Sequence, residues 1–160
     1  MNRLNQSSQS GFTLIELIVV IILLAIVSVF AVSRFTGGSS YQLPTVQDQA
    51  ISVIRQIQLG RMQSNVADLA DLSSYYRLTI TDNCLGAQVI CGPNTNPPTD
   101  ISAVVMSNDV SFSPSPALLD FDLFGRPSIS PFEITLTDNR GNTAQLCVEA
   151  EGYIRKGGCI

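Results

Sequence analysis

FTLIELIVVIILLAIVSVFAVSRF, residues 12–35, decides the fold. Apart from Glu16 and Arg34 the stretch carries no charge, and its hydrophobic residues follow one another without the alternation of a half-buried strand. A helix of this length spans about 36 Å at ~1.5 Å per residue, enough for a bilayer core of roughly 30 Å. Upstream, residues 1–11 read MNRLNQSSQSG, a polar run whose one charge is Arg3. An ordinary secretory signal peptide fits poorly: the apolar run is too long, and the small residue suited to cleavage, Gly11, precedes it.

Glu16 lies in the first turns of the apolar segment. An acidic residue near the centre of a membrane helix costs roughly 3 kcal/mol, and less near an end, where it reaches the headgroups. Read alone, Glu16 marks either the interfacial end of an uncut anchor or a functional carboxylate with a partner. Cleavage after Gly11 supplies that partner. Phe12 becomes a new N-terminus with a positive α-amine, one helical turn from Glu16 and at the positive end of the helix dipole.

Gly11-Phe12-Thr13-Leu14-Ile15-Glu16-Leu17-Ile18-Val19-Val20 resembles, almost residue for residue, the class III signal of type IV pilins and type II secretion pseudopilins. The resemblance implies cleavage by a prepilin peptidase between Gly11 and Phe12, N-methylation of Phe12, and a role for Glu16 in docking into a growing filament. It also implies partners: other pilin subunits, the peptidase and an inner-membrane assembly platform. The subunit would wait as a single-pass inner-membrane protein with its C-terminal domain in the periplasm, then move to the pilus at the cell surface.

Composition narrows the remaining classes. The formal charge is −4 and Lys and Arg form no long run, thin support for a nucleic-acid footprint. The chain has no His, which removes the commonest general base and metal ligand. No nucleophile elbow, P-loop or dinucleotide fingerprint occurs, so neither an enzyme nor a cofactor is expected. The four cysteines, Cys84, Cys91, Cys147 and Cys159, point to disulfides in an oxidising compartment. Of the three possible pairings, Cys84–Cys91 with Cys147–Cys159 closes two short local loops and is the expected one. The spacings do not suit zinc.

After Arg34, Gly37-Gly38-Ser39-Ser40 breaks the helical pattern. It is either a plain juxtamembrane linker or a flexible joint in one long helix. From Pro44 to about Val66, Val46, Ala50, Val53, Ile54, Ile57 and Met62 recur at helical spacing and predict an amphipathic helix. The rest predicts short strands: 75–81, 101–106, 109–112, 118–124, 132–137 and 142–150. The last two flank the turn formers Asp138-Asn139-Arg140-Gly141 in the strongest hairpin of the chain. Ile134 and Leu136 should face the core opposite Leu146 and Val148, with Cys147 turned away toward Cys159. Residues 84–98 read as a long polar loop.

A second, shorter resemblance lies in the C-terminal third. Phe121-Asp122-Leu123-Phe124-Gly125-Arg126-Pro127, followed by the hairpin and Val148-Glu149-Ala150-Glu151-Gly152-Tyr153-Ile154-Arg155-Lys156-Gly157-Gly158, is similar to the β-domain of the minor pseudopilin H and fimbrial T group. It implies a minor pilin, with a subunit of the mannose-sensitive haemagglutinin pilus, a cell-adhesion filament, as the narrower match. A minor pseudopilin of a type II secretion system is the alternative. Asp120 and Asp122 would share a strand face as a D-x-D pair, and 138–142 vaguely resembles a calcium loop without its spaced ligands. A solvated face and a turn are the expected readings, so no metal is expected.

The whole predicts an α+β protein: a leader at 1–11, a transmembrane and filament-core helix at 12–35, a glycine-rich joint and amphipathic helix at 36–66, and an antiparallel β domain at 67–160. The N-terminal helix spans the membrane in its first half and packs on the sheet in its second.

Overall fold

The computed structural model describes residues 12–35, 42–93, 102–115 and 117–160, with side chains of 29–35 outside that description. The chain forms two units, Met1–Gly38 and Ser39–Ile160. In the first, α1 (Leu14–Phe35) runs for 22 residues. Every residue from Phe12 to Ser28 is exposed within this unit. A helix apolar on all sides is stable only with lipid or protein around it. Among the described residues, no helix is long and apolar enough to cross a membrane, so the membrane span expected at 12–35 is not shown here.

The second unit is built on α2 (Gln42–Gln63). The helix starts two residues before the predicted Pro44, which sits within the first turn, where its missing N–H breaks no hydrogen bond. Leu43, Gln47, Ala50, Ile54, Ile57 and Arg61 are buried at spacings of three and four, forming the stripe that meets the sheets. Met62, expected on that stripe, is exposed. The joint expected at Gly37-Gly38-Ser39-Ser40 lies outside the described residues.

Eight strands follow: β1 (Leu78–Thr81), β2 (Cys84–Ala87), β3 (Val104–Met106), β4 (Val110–Ser113), β5 (Ala117–Leu119), β6 (Phe132–Asp138), β7 (Thr143–Val148) and β8 (Ile154–Lys156). They form two antiparallel sheets, β3-β2-β1-β5 and β4-β6-β7-β8, where the sequence predicted one. The chain leaves the first sheet at Ser107, whose hydroxyl accepts from the N–H groups of Asp109 and Val110 at 3.2 and 3.0 Å. Phe112 N–H then donates to Asp82 C=O at 2.8 Å and ties the second sheet to the first hairpin. Leu78, Ile80 and Leu85 from one sheet and Phe112, Ile134, Leu136, Leu146 and Val148 from the other share one core with α2. Burying each such side chain contributes about 1.5–3 kcal/mol.

Two predicted strands and the polar loop need correction. Residues 74–76 form a 3₁₀ turn capped by the Ser73 hydroxyl, so the first strand begins at Leu78 and not at Tyr75. Residues 84–91 are strand β2 and a short helix α3 (Gln88–Cys91), packed in the interior rather than looped at the surface. Strand β5 stops at Leu119, so Asp120 and Asp122 lie on the turn that follows and form no strand face. The hairpin matches its reading: Ile134 pairs with Leu146 and Phe132 with Val148, while Cys147 sits opposite Glu133 and Arg155, outside the core cluster.

Candidate assembly site

Thr13 precedes the first helical residue of α1, and its hydroxyl accepts from the Glu16 N–H at 3.3 Å. The Glu16 N–H also reaches Thr13 C=O at 3.1 Å, and that carbonyl accepts from Leu17 N–H at 3.2 Å. Thr13 therefore caps α1, with Glu16 at the third helical position. This T-x-x-E spacing is the sequence signature of a capping box, a signal the motif reading of Phe12–Val20 passed over. The cap fixes where the helix begins, and so fixes Glu16 one turn from Phe12. A carboxylate there is favoured by the positive helix end. Phe12 is 84 % exposed and Glu16 is also exposed within this unit. Gly11 lies outside the described residues.

A second construction joins α2 to the β domain. Gln58 is half-buried, and its side-chain NH₂ donates to two carbonyls, Gly125 at 2.6 Å and Gly152 at 2.8 Å. Both glycines hold positive φ, 81° and 84°. They close turns of the same plan. Asp122 C=O accepts from Gly125 N–H at 3.1 Å, and Glu149 C=O from Gly152 N–H at 2.8 Å. Each turn is braced by its own ion pair, Arg126–Asp122 at 2.8 Å and Arg155–Glu149 at 2.6 Å. A Cβ on Gly152 would collide with Gly125 C=O. The two segments that carry the second resemblance, 121–127 and 148–158, thus meet in space under one helix residue. Gln47 adds a further tie, donating to Gln145 C=O at 2.8 Å, and Arg61 another, donating to Phe121 C=O at 2.9 Å.

The remaining candidates resolve individually. Cys84 is bonded to Cys91 and Cys147 to Cys159, with Cα separations of 5.7 and 5.1 Å. The first bond ties β2 to α3, and the second holds the tail against β7. Asp120 forms a two-pronged pair with Arg77 at 2.8 and 2.6 Å, and that hydrogen bond, with the Asp120 charge, raises Arg77 above its ordinary value against partial burial. Partial burial pushes the Asp122 carboxyl up, but N–H groups of Arg126 and Phe124 and the Arg126 guanidinium outweigh it and leave the group lowered. Asp138 is lowered chiefly by the Asn142 side chain, then by the N–H groups of Asn142 and Arg140. Its two oxygens are occupied by those donors, as in a turn. Among the described residues no group of three or more His, Cys, Asp or Glu side chains is arranged to hold a metal ion.

Comparison with curated proteins and with solved structures finds no match. Residues 6–32 match the family model of the prokaryotic N-terminal methylation motif, the segment that contains the capped start of α1 and Glu16, and this prepilin-type motif supports a type IV pilin-like precursor.

Proposed function

We propose that the chain is a minor type IV pilin, a structural subunit cleaved after Gly11, N-methylated on Phe12 and incorporated into a surface filament. The motif implies processing by prepilin peptidase and assembly with other pilins. The observation that carries the reading is the start of α1: a capped, exposed, apolar helix with one carboxylate a turn from the cleavage point. Before assembly, residues 12–35 lie across the inner membrane, where lipid covers the apolar surface. In the filament, neighbouring helices cover it instead, so assembly exchanges one apolar environment for another. Glu16 of one subunit pairs with the Phe12 amine of the next, and that pair sets the register. An ion pair in such surroundings is worth little when intact, but leaving one charge unpaired costs about 3–5 kcal/mol. A wrongly seated subunit is therefore rejected more strongly than a correct one is attracted.

The Gly125 and Gly152 turns support the minor-pilin reading over a bulk filament subunit, because the segments of the second resemblance form one joined structure. A minor pseudopilin of a type II secretion system shares the same N-terminal features. Deleting the gene separates the two: loss of surface pili supports the pilin, and loss of enzyme secretion supports the pseudopilin. The role of Glu16 is tested by Glu16→Ala. Cleavage should persist while incorporation into sheared filaments is lost, and normal incorporation would remove Glu16 from the mechanism.

A further inference from the structure

A cleft of about 450 Å³ opens near the C-terminal end of α2, within the range of small-molecule sites. Leu69, Phe121, Leu123, Phe124 and Pro127 give it apolar walls, and Arg61 forms part of its lining. Arg61 is 2 % exposed. Its Nε donates to Phe121 C=O at 2.9 Å, and its Nη1 to Val66 C=O at 2.6 Å and Ser64 Oγ at 2.9 Å. All three acceptors are neutral. Among the described residues, no carboxylate pairs with Arg61, and its Nη2 makes no hydrogen bond.

The acids that share the cleft are already committed. Both oxygens of Asp120 are held by Arg77. Those of Asp122 are held by Arg126 and by the N–H groups of Phe124 and Arg126. Asp68, in the adjoining loop, is exposed and accepts from Ala70 N–H at 2.9 Å. With these two pairs cancelled, the lining keeps the positive charge of Arg61, in a chain whose overall charge is −4. A buried guanidinium with only neutral acceptors is half of a charge pair, and its planar fork suits a carboxylate.

We propose that this cleft binds a small carboxylic acid with an apolar body of roughly phenylalkyl size. The carboxylate meets Arg61 Nη2, and the body lies against Leu69, Phe121 and Phe124. At the rim, the Arg126 guanidinium sits 5.2 Å over the Phe124 ring and closes one side. The site does not depend on α1 or on filament assembly, so its failure would leave the pilin reading untouched.

The test is amide chemical-shift titration of the full chain in neutral-detergent micelles, with phenylbutyrate and with its uncharged counterpart phenylbutanol. The acid should produce saturable shifts over 61–69 and 120–128, and the alcohol should bind at least about tenfold more weakly. Arg61→Gln should bring the acid down to the level of the alcohol. If that variant does not fold, the comparison of acid and alcohol on the unaltered chain decides the charge requirement. Phe124→Ala, at a residue 75 % exposed, then tests the place of binding by weakening the acid. Absence of saturable shifts up to about 10 mM, equal affinity for acid and alcohol, or shifts confined to α1 would each overturn the proposal.

Discussion

Gly152→Ala and Gly141→Ala make a matched pair, because the two glycines hold nearly the same backbone angle, φ +84° and +83°, in different surroundings. At Gly141 an added Cβ meets nothing within 4 Å. At Gly152 it collides with Gly125 C=O and lies 2.7 Å from the Gln58 side-chain nitrogen and 3.0 Å from the Gly125 carbonyl carbon. Both variants carry the left-handed backbone penalty of about 1–2 kcal/mol. Only Gly152→Ala adds overpacking, about 1–3 kcal/mol, and disruption of the Gln58 bonds, about 1 kcal/mol each. The expected losses are therefore about 1–2 kcal/mol for Gly141→Ala and roughly 4–7 kcal/mol for Gly152→Ala. Against a typical domain stability of about 5–15 kcal/mol, the second is severe. Urea unfolding followed by tyrosine fluorescence measures both, since the chain has 4 Tyr and no Trp and none of the tyrosines lies in residues 1–38. The signal then reports on the second unit alone. Equal losses in the two variants would refute the joined-turn geometry around Gln58.

Asp120→Ala strands Arg77 in a pair whose side chains are 11 % and 25 % exposed, and should cost about 2–3 kcal/mol, below the fully buried range, in the same urea assay. Reduction should cost about 2.5–3 kcal/mol per disulfide on chain-entropy grounds for separations of 7 and 12 residues, read as the drop in unfolding midpoint between oxidised and reduced protein. The lowered carboxyls of Asp122 and Asp138 contribute stability that is present above their unfolded-state value near pH 4 and lost as pH falls through their folded values. Their contribution should be flat from about pH 5 to 8 and decline below about pH 4, and Asp122→Asn should make the acid limb of a pH titration of stability shallower.

Helices α1 and α2 and the long hairpin were legible because their signals are local. Ala50, Val53, Ile54 and Ile57 recur at helical spacing and are buried, and Asp138-Asn139-Arg140-Gly141 turns β6 into β7. Gln47 and Arg61 were not legible as interior residues. Their side chains are polar, and what draws them inward is a set of carbonyls 60 or more residues away, at Gln145 and Phe121. Strand β2 was hidden for a related reason: all four of its residues are buried, so it lacks the alternation of a half-exposed strand, and Gly86 weakens the pattern further. The division into two sheets depends on Ser107 redirecting the chain, a tertiary choice no periodicity records. The candidate assembly site was legible as a motif around Gly11, Phe12 and Glu16, while the cap that positions Glu16 needed only the spacing of Thr13 and Glu16 to be noticed.

The most direct measurement is the intact mass and N-terminal sequence of the protein isolated from membranes of its native host. A processed pilin subunit gives a chain that begins at methylated Phe12, with all four cysteines oxidised. A chain that still begins at Met1, in cells with an active prepilin peptidase, would contradict this processing and leave residues 12–35 as an uncut membrane anchor.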